Sequence, residues 1–216
     1  MGVLLMLMTI GGFLAAAIML LIGAIGKKKW LRNFTLAGVV VWAVFYGVML
    51  FGSSIASREK TLAINEAKEY CGFYLDCHLH TAVSGVRRTD KIGDRPATGE
   101  FYVVKVKVFS DARRAVLGLL TVDAHVVDEQ DHQYSRDISA ESRLAPQPEF
   151  EGRISPTESF EKEIVFDLPA DVKSPRLDIR EGYGIDHVIE AVLIDDEDSI
   201  WHKRNLFGLE IAEPQV

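Results

Sequence analysis

Two apolar runs set the strongest limit on what this chain can fold into. Residues 3–26 form an unbroken stretch of 24 apolar and small positions whose one polar side chain is Thr9, and residues 34–56 form a second of 23 positions. At a helical rise of ~1.5 Å per residue each is about 35 Å long, enough to cross a hydrocarbon core of about 30 Å. Backbone amides in lipid must pair within their own segment, so both runs are predicted to be transmembrane helices. Trp30, at the start of the second, fits an interfacial anchor.

The loop between them, residues 27–33 (KKKWLRN), holds Lys27, Lys28, Lys29 and Arg32, the four charged side chains of the first 56 residues. Cationic loops stay in the cytoplasm, so residues 1–56 read as a hairpin with its N-terminus and everything after Ala56 outside. A rival reading takes residues 27–56 as a secretory signal cut after Ser54-Ile55-Ala56. Its apolar stretch exceeds the usual signal core of roughly 7–15 residues and follows another span, so the hairpin is preferred. Gly12 with Ala16, and Ala43 with Gly47, are small residues four apart that would let the two spans pack closely or serve a homo-oligomer. Neither span carries an ionisable group, which argues against an ion path or a proton relay.

From Ser57 onward the chemistry changes. This part holds all 31 acidic residues and the remaining 20 basic ones, a formal charge of −11. A surface so acidic lacks the Lys and Arg excess that neutralises phosphates, so nucleic acid is excluded as a partner. Residues 57–70 (SREKTLAINEAKEY) are rich in helix formers without Gly or Pro and read as a helical stalk. Beyond them the periodicity is two. In 101–109, Tyr102, Val104, Val106 and Val108 share one parity against Lys105 and Lys107. Val122, Ala124 and Val126 repeat the pattern, as do Phe160, Ile164, Phe166 and Leu168. Further strands are predicted at 77–86, 177–180, 187–194 and 206–211, with the longest breaks at 91–99 and 144–157 and a hairpin turn at 128–132. About seven short strands predict an all-β, immunoglobulin-like antiparallel sandwich over residues 71–216.

The order of strand 101–109, strand 122–127 with an Asp-rich turn, then ISPTES (154–159) leading into IVFDLP (164–169) is similar to the telokin-like, immunoglobulin-like extracellular domains of unknown function that bacteria tether to their membranes. The likeness covers roughly residues 77–180. It implies a fold and a place in the bacterial envelope, and carries no catalytic residues. The acidic run 195–205 lies outside it.

Cys71 and Cys77 are the two cysteines of the chain. Outside the cytoplasm thiols are usually oxidised, so the plain reading is a Cys71–Cys77 disulfide closing a short loop. The sharper alternative is a copper or zinc site on His78 and His80, which alternate onto one strand face about 7 Å apart. Cys77 has the opposite parity, and no metal or other cofactor is the preferred expectation. His125, His132, His187 and His202 read singly as surface histidines. Asp195, Asp196, Glu197 and Asp198 lack the alternating spacing of a compact calcium loop and read as a solvated turn. No Gly-x-Ser-x-Gly, His-Glu-x-x-His or phosphate-binding glycine loop occurs. With the bacterial setting that the resemblance implies, the expectation is a non-enzymatic protein of the inner or cytoplasmic membrane that touches lipid through two spans and whose sandwich binds an unidentified envelope protein or supports an envelope assembly.

Overall fold

The computed structural model describes residues 2–70 and 77–210. Its elements in chain order are α1 (Gly2–Ile25), α2 (Lys29–Ala56), β1 (Lys60–Leu62), β2 (Lys68–Tyr70), β3 (Leu79–Ile92) and β4 (Arg95–Ser110). There follow β5 (Val122–Val127), β6 (Gln133–Ser135), α3 (Ile138–Glu141), β7 (Ser159–Leu168), β8 (Arg176–Glu181), α4 (Gly184–Glu190) and β9 (Asn205–Gly208). Contacts divide the chain into two units, one of residues 2–58 with Gly184–Arg204, the other of Glu59–Tyr183 with residues 205–210.

In the first unit α1 and α2 form the expected hairpin, each long and apolar enough to cross a membrane. Most of their apolar side chains face outward: Leu7 is 54% exposed and Val41 69%. The polar groups inside are satisfied. Thr9 donates to the Leu5 carbonyl at 2.8 Å, and Trp42 Nε1 donates to Thr9 Oγ1 at 3.0 Å. The packing expected at Gly12 and Gly47 is corrected, because a Cβ added at either would meet nothing within 4 Å. The helices close on each other elsewhere, at Thr9–Trp42 and where Gly23 meets Arg32, leaving a groove of about 360 Å³ beside Gly12, Ala16 and Gly38.

The second unit is a two-sheet sandwich. One sheet runs β1-β9-β8-β5-β6 and the other β2-β3-β4-β7. Neighbouring strands are antiparallel except β1 and β9, which pair in parallel with Lys60 opposite Asn205. The inward parity is the expected one. Tyr102, Val104, Val106, Val108, Ala124, Val126, Ile164, Phe166 and Leu168 meet Leu177, Ile179 and Phe207 in one core. Each large side chain taken fully from water there contributes about 1.5–3 kcal/mol.

Three expectations are corrected. Residues 57–70 do not form a helical stalk; they supply β1 and β2, and Leu62, Lys68 and Tyr70 are buried at strand parity. Helix propensity loses here because those side chains bury only in an extended chain. Residues 91–99, read as a break, complete the β3–β4 hairpin, in which Ile92 pairs with Arg95 across Gly93 at φ 60° and Asp94. Residues 187–194, read as a strand, begin inside α4.

One arrangement was not foreseen. Phe101 and Val103 share the outward parity of Lys105, yet they are buried with Val165, Ile92 and Ala140 under α3 in a second small core. The segment carrying α3 also closes the edge of β7. Val165 O accepts from Asp137 N–H at 2.7 Å, and Val165 N–H donates to Glu141 Oε1 at 3.1 Å. Gln147 clamps Glu163 twice, accepting its N–H at 2.8 Å and donating Nε2 to its carbonyl at 2.8 Å. The Asp137 amide and the Glu141 and Gln147 side chains thus occupy backbone groups that would otherwise template a further strand.

Candidate functional site

The sequence-predicted pair His78 and His80 meets a third residue. His78 precedes β3 and His80 lies on it, in register with Phe109 on β4, so the chain just past β4 brings Asp111 opposite His78. Asp111 Oδ1 lies 2.6 Å from His78 Nδ1 and 3.4 Å from His80 Nε2. The His80 ring stacks on Phe109 at 5.0 Å and is buried, and its Nδ1 has no hydrogen-bond partner among the described residues. The Asp111 carboxyl is held below the usual range, chiefly by the hydrogen bond from His78 and also by that from His80, against an opposing effect of burial. Asp111 thus links the two rings through its contacts, but these three side chains do not bring one ligand atom each within 4.8 Å of the others. The disulfide expectation involves Cys71, which lies outside the described residues; no free cysteine occurs among those described.

A second cluster lies where the sequence pattern predicts a strand at 187–194 and the structure forms α4. On a helix, His187 and Glu190 are one turn apart, and Nδ1 of the first lies 3.0 Å from Oε2 of the second. Asp198 joins them, so that one ligand atom from each of the three lies within 4.8 Å of the others. Asp198 Oδ1 also accepts from Arg204 Nε at 2.9 Å. Burial raises the Glu190 carboxyl above its ordinary pKa, with the charges of Asp196 and Asp198 adding to it and His187 opposing. Burial likewise raises Asp196, reinforced by Asp198 and Asp195. The expected solvated turn is therefore half-buried at Asp196 and Asp198, and His187 and His202 are half-buried rather than surface histidines.

A third group ties the two sheets. β9 leaves β8 after Leu177, and Lys68 from β2 fills the gap, donating Nζ to the Ile179 carbonyl at 2.9 Å. Asp178 lies 3.8 Å from that ammonium and accepts from Arg180 Nε at 2.9 Å. His125, expected at the surface, is 7% exposed because its Nε2 packs 3.7 Å from Asp178 Oδ2 on the neighbouring strand. Buried charges of this kind persist only when paired and hydrogen-bonded, so the group reads as a structural staple.

At one end of the sandwich Asp128 organises the β5–β6 turn. It accepts from Gln130 N–H at 2.7 Å, His132 N–H at 3.0 Å and the Tyr134 hydroxyl at 3.2 Å. Burial alone would raise its carboxyl, but these bonds together with the His132 ring hold it at about 2. A cleft of about 930 Å³ runs beside β1, lined by Thr61, Leu62, Ile64, Pro175, Arg176 and Glu129 among others.

Residues 76–188 match the family described as Domain of unknown function (DUF4352). That match supports the immunoglobulin-like sandwich of unknown function in the resemblance and does not support its telokin-like part. Similar solved structures include the YjhA protein from Bacillus subtilis, 14% identical with a TM-score of 0.44, covering 69% of this chain and 100% of that one. The secreted protein MPT63 from Mycobacterium tuberculosis is 13% identical with a TM-score of 0.40, covering 60% and 92%. An uncharacterised β-sandwich protein from Clostridium difficile is 12% identical with a TM-score of 0.36, covering 71% and 97%. No curated protein matches the chain.

Proposed function

We infer that this chain, which belongs to the DUF4352 family, is a membrane-tethered module whose sandwich stands outside the cytoplasm and binds an envelope protein rather than transforming a substrate. The observation that carries the tether is the outward-facing apolar surface of α1 and α2, joined by a loop with four cations and followed by an acidic sandwich. Apolar side chains exposed over two whole helices need lipid or protein around them. The clamped β7 edge directs partner binding away from strand addition there, towards the open cleft beside β1. A reporter active only outside the cytoplasm tests the arrangement: fused after Val216 it should be active, and inserted after Trp30 it should be silent. The reverse pattern overturns the orientation.

A second reading is metal handling at His78 and His80, with Asp111 as a third ligand that already touches both rings and the two imidazoles closing further around an ion. Elemental analysis of protein purified without chelator or histidine tag separates the two. One copper or zinc per chain, lost in the His78→Ala/His80→Ala variant, supports the metal reading, and a metal-free protein removes it.

A further inference from the structure

We propose that the segment Gly184–Arg204 lies in the membrane interface, its apolar side chains inserted among the lipids of the leaflet that meets the start of α1 and the end of α2. The proposal rests on α1 and α2 spanning a bilayer.

The segment belongs to the same unit as the two helices and is fixed to them at four points. The Tyr46 hydroxyl donates to the Val192 carbonyl at 2.7 Å, and the Trp201 ring packs on Phe51 with centroids 5.2 Å apart. Lys203 N–H donates to Ser57 Oγ at 2.8 Å. Gly2 lies so close to Ile194 that an added Cβ would stand 2.6 Å from its carbonyl oxygen.

These contacts fix a depth. The Thr9–Trp42 bond sets the two antiparallel helices level at those residues, so Gly2, seven residues before Thr9, is level with residue 49 of α2. The 24 residues of α1 span about 36 Å and overhang a hydrocarbon core of about 30 Å by about 3 Å at each end. Val192, held at Tyr46 about 4.5 Å below the level of Gly2, falls at the edge of the hydrocarbon. Trp201, on Phe51 about 3 Å above that level, falls among the headgroups, where tryptophan is enriched.

The side chains match that placement. Ile185, Val188 and Val192 recur at i, i+3 and i+7, on one side of α4 and the turn after it, and are 65%, 65% and 40% exposed. Trp201 is 69% exposed. His187 and Glu190 occupy the other side of α4 and bond to each other. An apolar stripe backed by a polar one is the pattern of a helix lying in the plane of an interface. It is continuous, through Tyr46 and Phe51, with the outward-facing apolar surface of α2, so the occupant is the lipid that surrounds the spans.

The test uses the full chain in proteoliposomes made with lipids brominated near the headgroup end of the acyl chain. The chain has three tryptophans, Trp30, Trp42 and Trp201. The Trp30→Phe/Trp42→Phe variant reports Trp201 alone, and Trp30→Phe/Trp201→Phe reports Trp42 alone. Trp201 emission should fall about twofold in brominated lipid and respond weakly to aqueous iodide. Strong iodide quenching of Trp201 with lipid quenching kept at Trp42 would overturn the proposal and leave the spans intact. Protection of Trp201 from both quenchers would mean that protein covers it, which also overturns the proposal. Loss of lipid quenching at Trp42 as well would remove the spanning reading itself.

Discussion

Replacing Gln147 by Ala should open the edge of β7 without disturbing the core beneath it. The amide of Gln147 makes two hydrogen bonds of 2.8 Å to the N–H and carbonyl of Glu163, and both partners are backbone groups on the outermost strand of their sheet. A neutral intramolecular hydrogen bond contributes about 1 kcal/mol net, so the pair is worth about 1–2 kcal/mol. Val165 keeps its bonds to Asp137 and Glu141, which confines the effect to the neighbourhood of Glu163. If exchange proceeds through local opening, the Glu163 amide should exchange about 5- to 30-fold faster in the variant. Hydrogen exchange of the full chain in detergent, read by mass spectrometry on peptides spanning 159–168, measures this directly. Peptides from the opposite sheet serve as the internal control. An unchanged rate at Glu163 would show that the clamp is incidental and that the edge is protected by something else. Uniformly faster exchange in both sheets would mean that the clamp stabilises the whole sandwich, contradicting its local assignment.

Other expectations follow from the buried charges and the turn. Lys68→Met removes a charge-assisted bond to Ile179 O beside Asp178, while Arg180 remains on that carboxylate; a loss of about 2–3 kcal/mol is expected in urea titrations read by pulse proteolysis, and a change under about 0.5 kcal/mol would refute the staple. Asp128, held at about 2 in the folded chain against roughly 3.9 in an unfolded one, stabilises above the higher value and loses that contribution as pH falls towards the lower. Wild type should therefore exceed Asp128→Asn in urea midpoint above about pH 4 and converge with it below, and a pH-independent gap would contradict the assignment. Peptide mapping without reductant should find Cys71 and Cys77 in one linked fragment, and alkylation of both thiols in freshly isolated protein would dismiss that pairing.

What was legible in the sequence was whatever depended on period and composition. The two long apolar helices and the inward faces of β4, β5 and β7 could be read from residue order, because an unbroken apolar run and a half-buried sheet each leave a plain pattern of side chains. What depended on register could not. Asp111 reaches His78 because the β3–β4 pairing, set at Ile92 opposite Arg95, shifts at two irregularities before it reaches Leu79 opposite Ser110. No local pattern announces those shifts, so the partner of the two histidines stayed hidden. Strand β4 misled in another way. Phe101 and Val103 have the outward parity, and only the return of α3 over the sheet accounts for their burial. Residues 57–70 were misread because Leu62, Lys68 and Tyr70 gain more from burial at strand parity than their neighbours gain from helix propensity. α4 is hidden for a different reason: its β-branched Val188 and Ile189 look like a strand until His187 and Glu190 are seen to bond across one helical turn.

The central claim is that α1 and α2 hold the sandwich to a membrane as an uncleaved hairpin. Alkaline carbonate extraction of membranes from cells making the full chain, followed by intact mass measurement of the pellet and the wash, tests it most directly. The account predicts the whole 216-residue chain in the pellet. A chain beginning at Ser57 and recovered in the wash would contradict it.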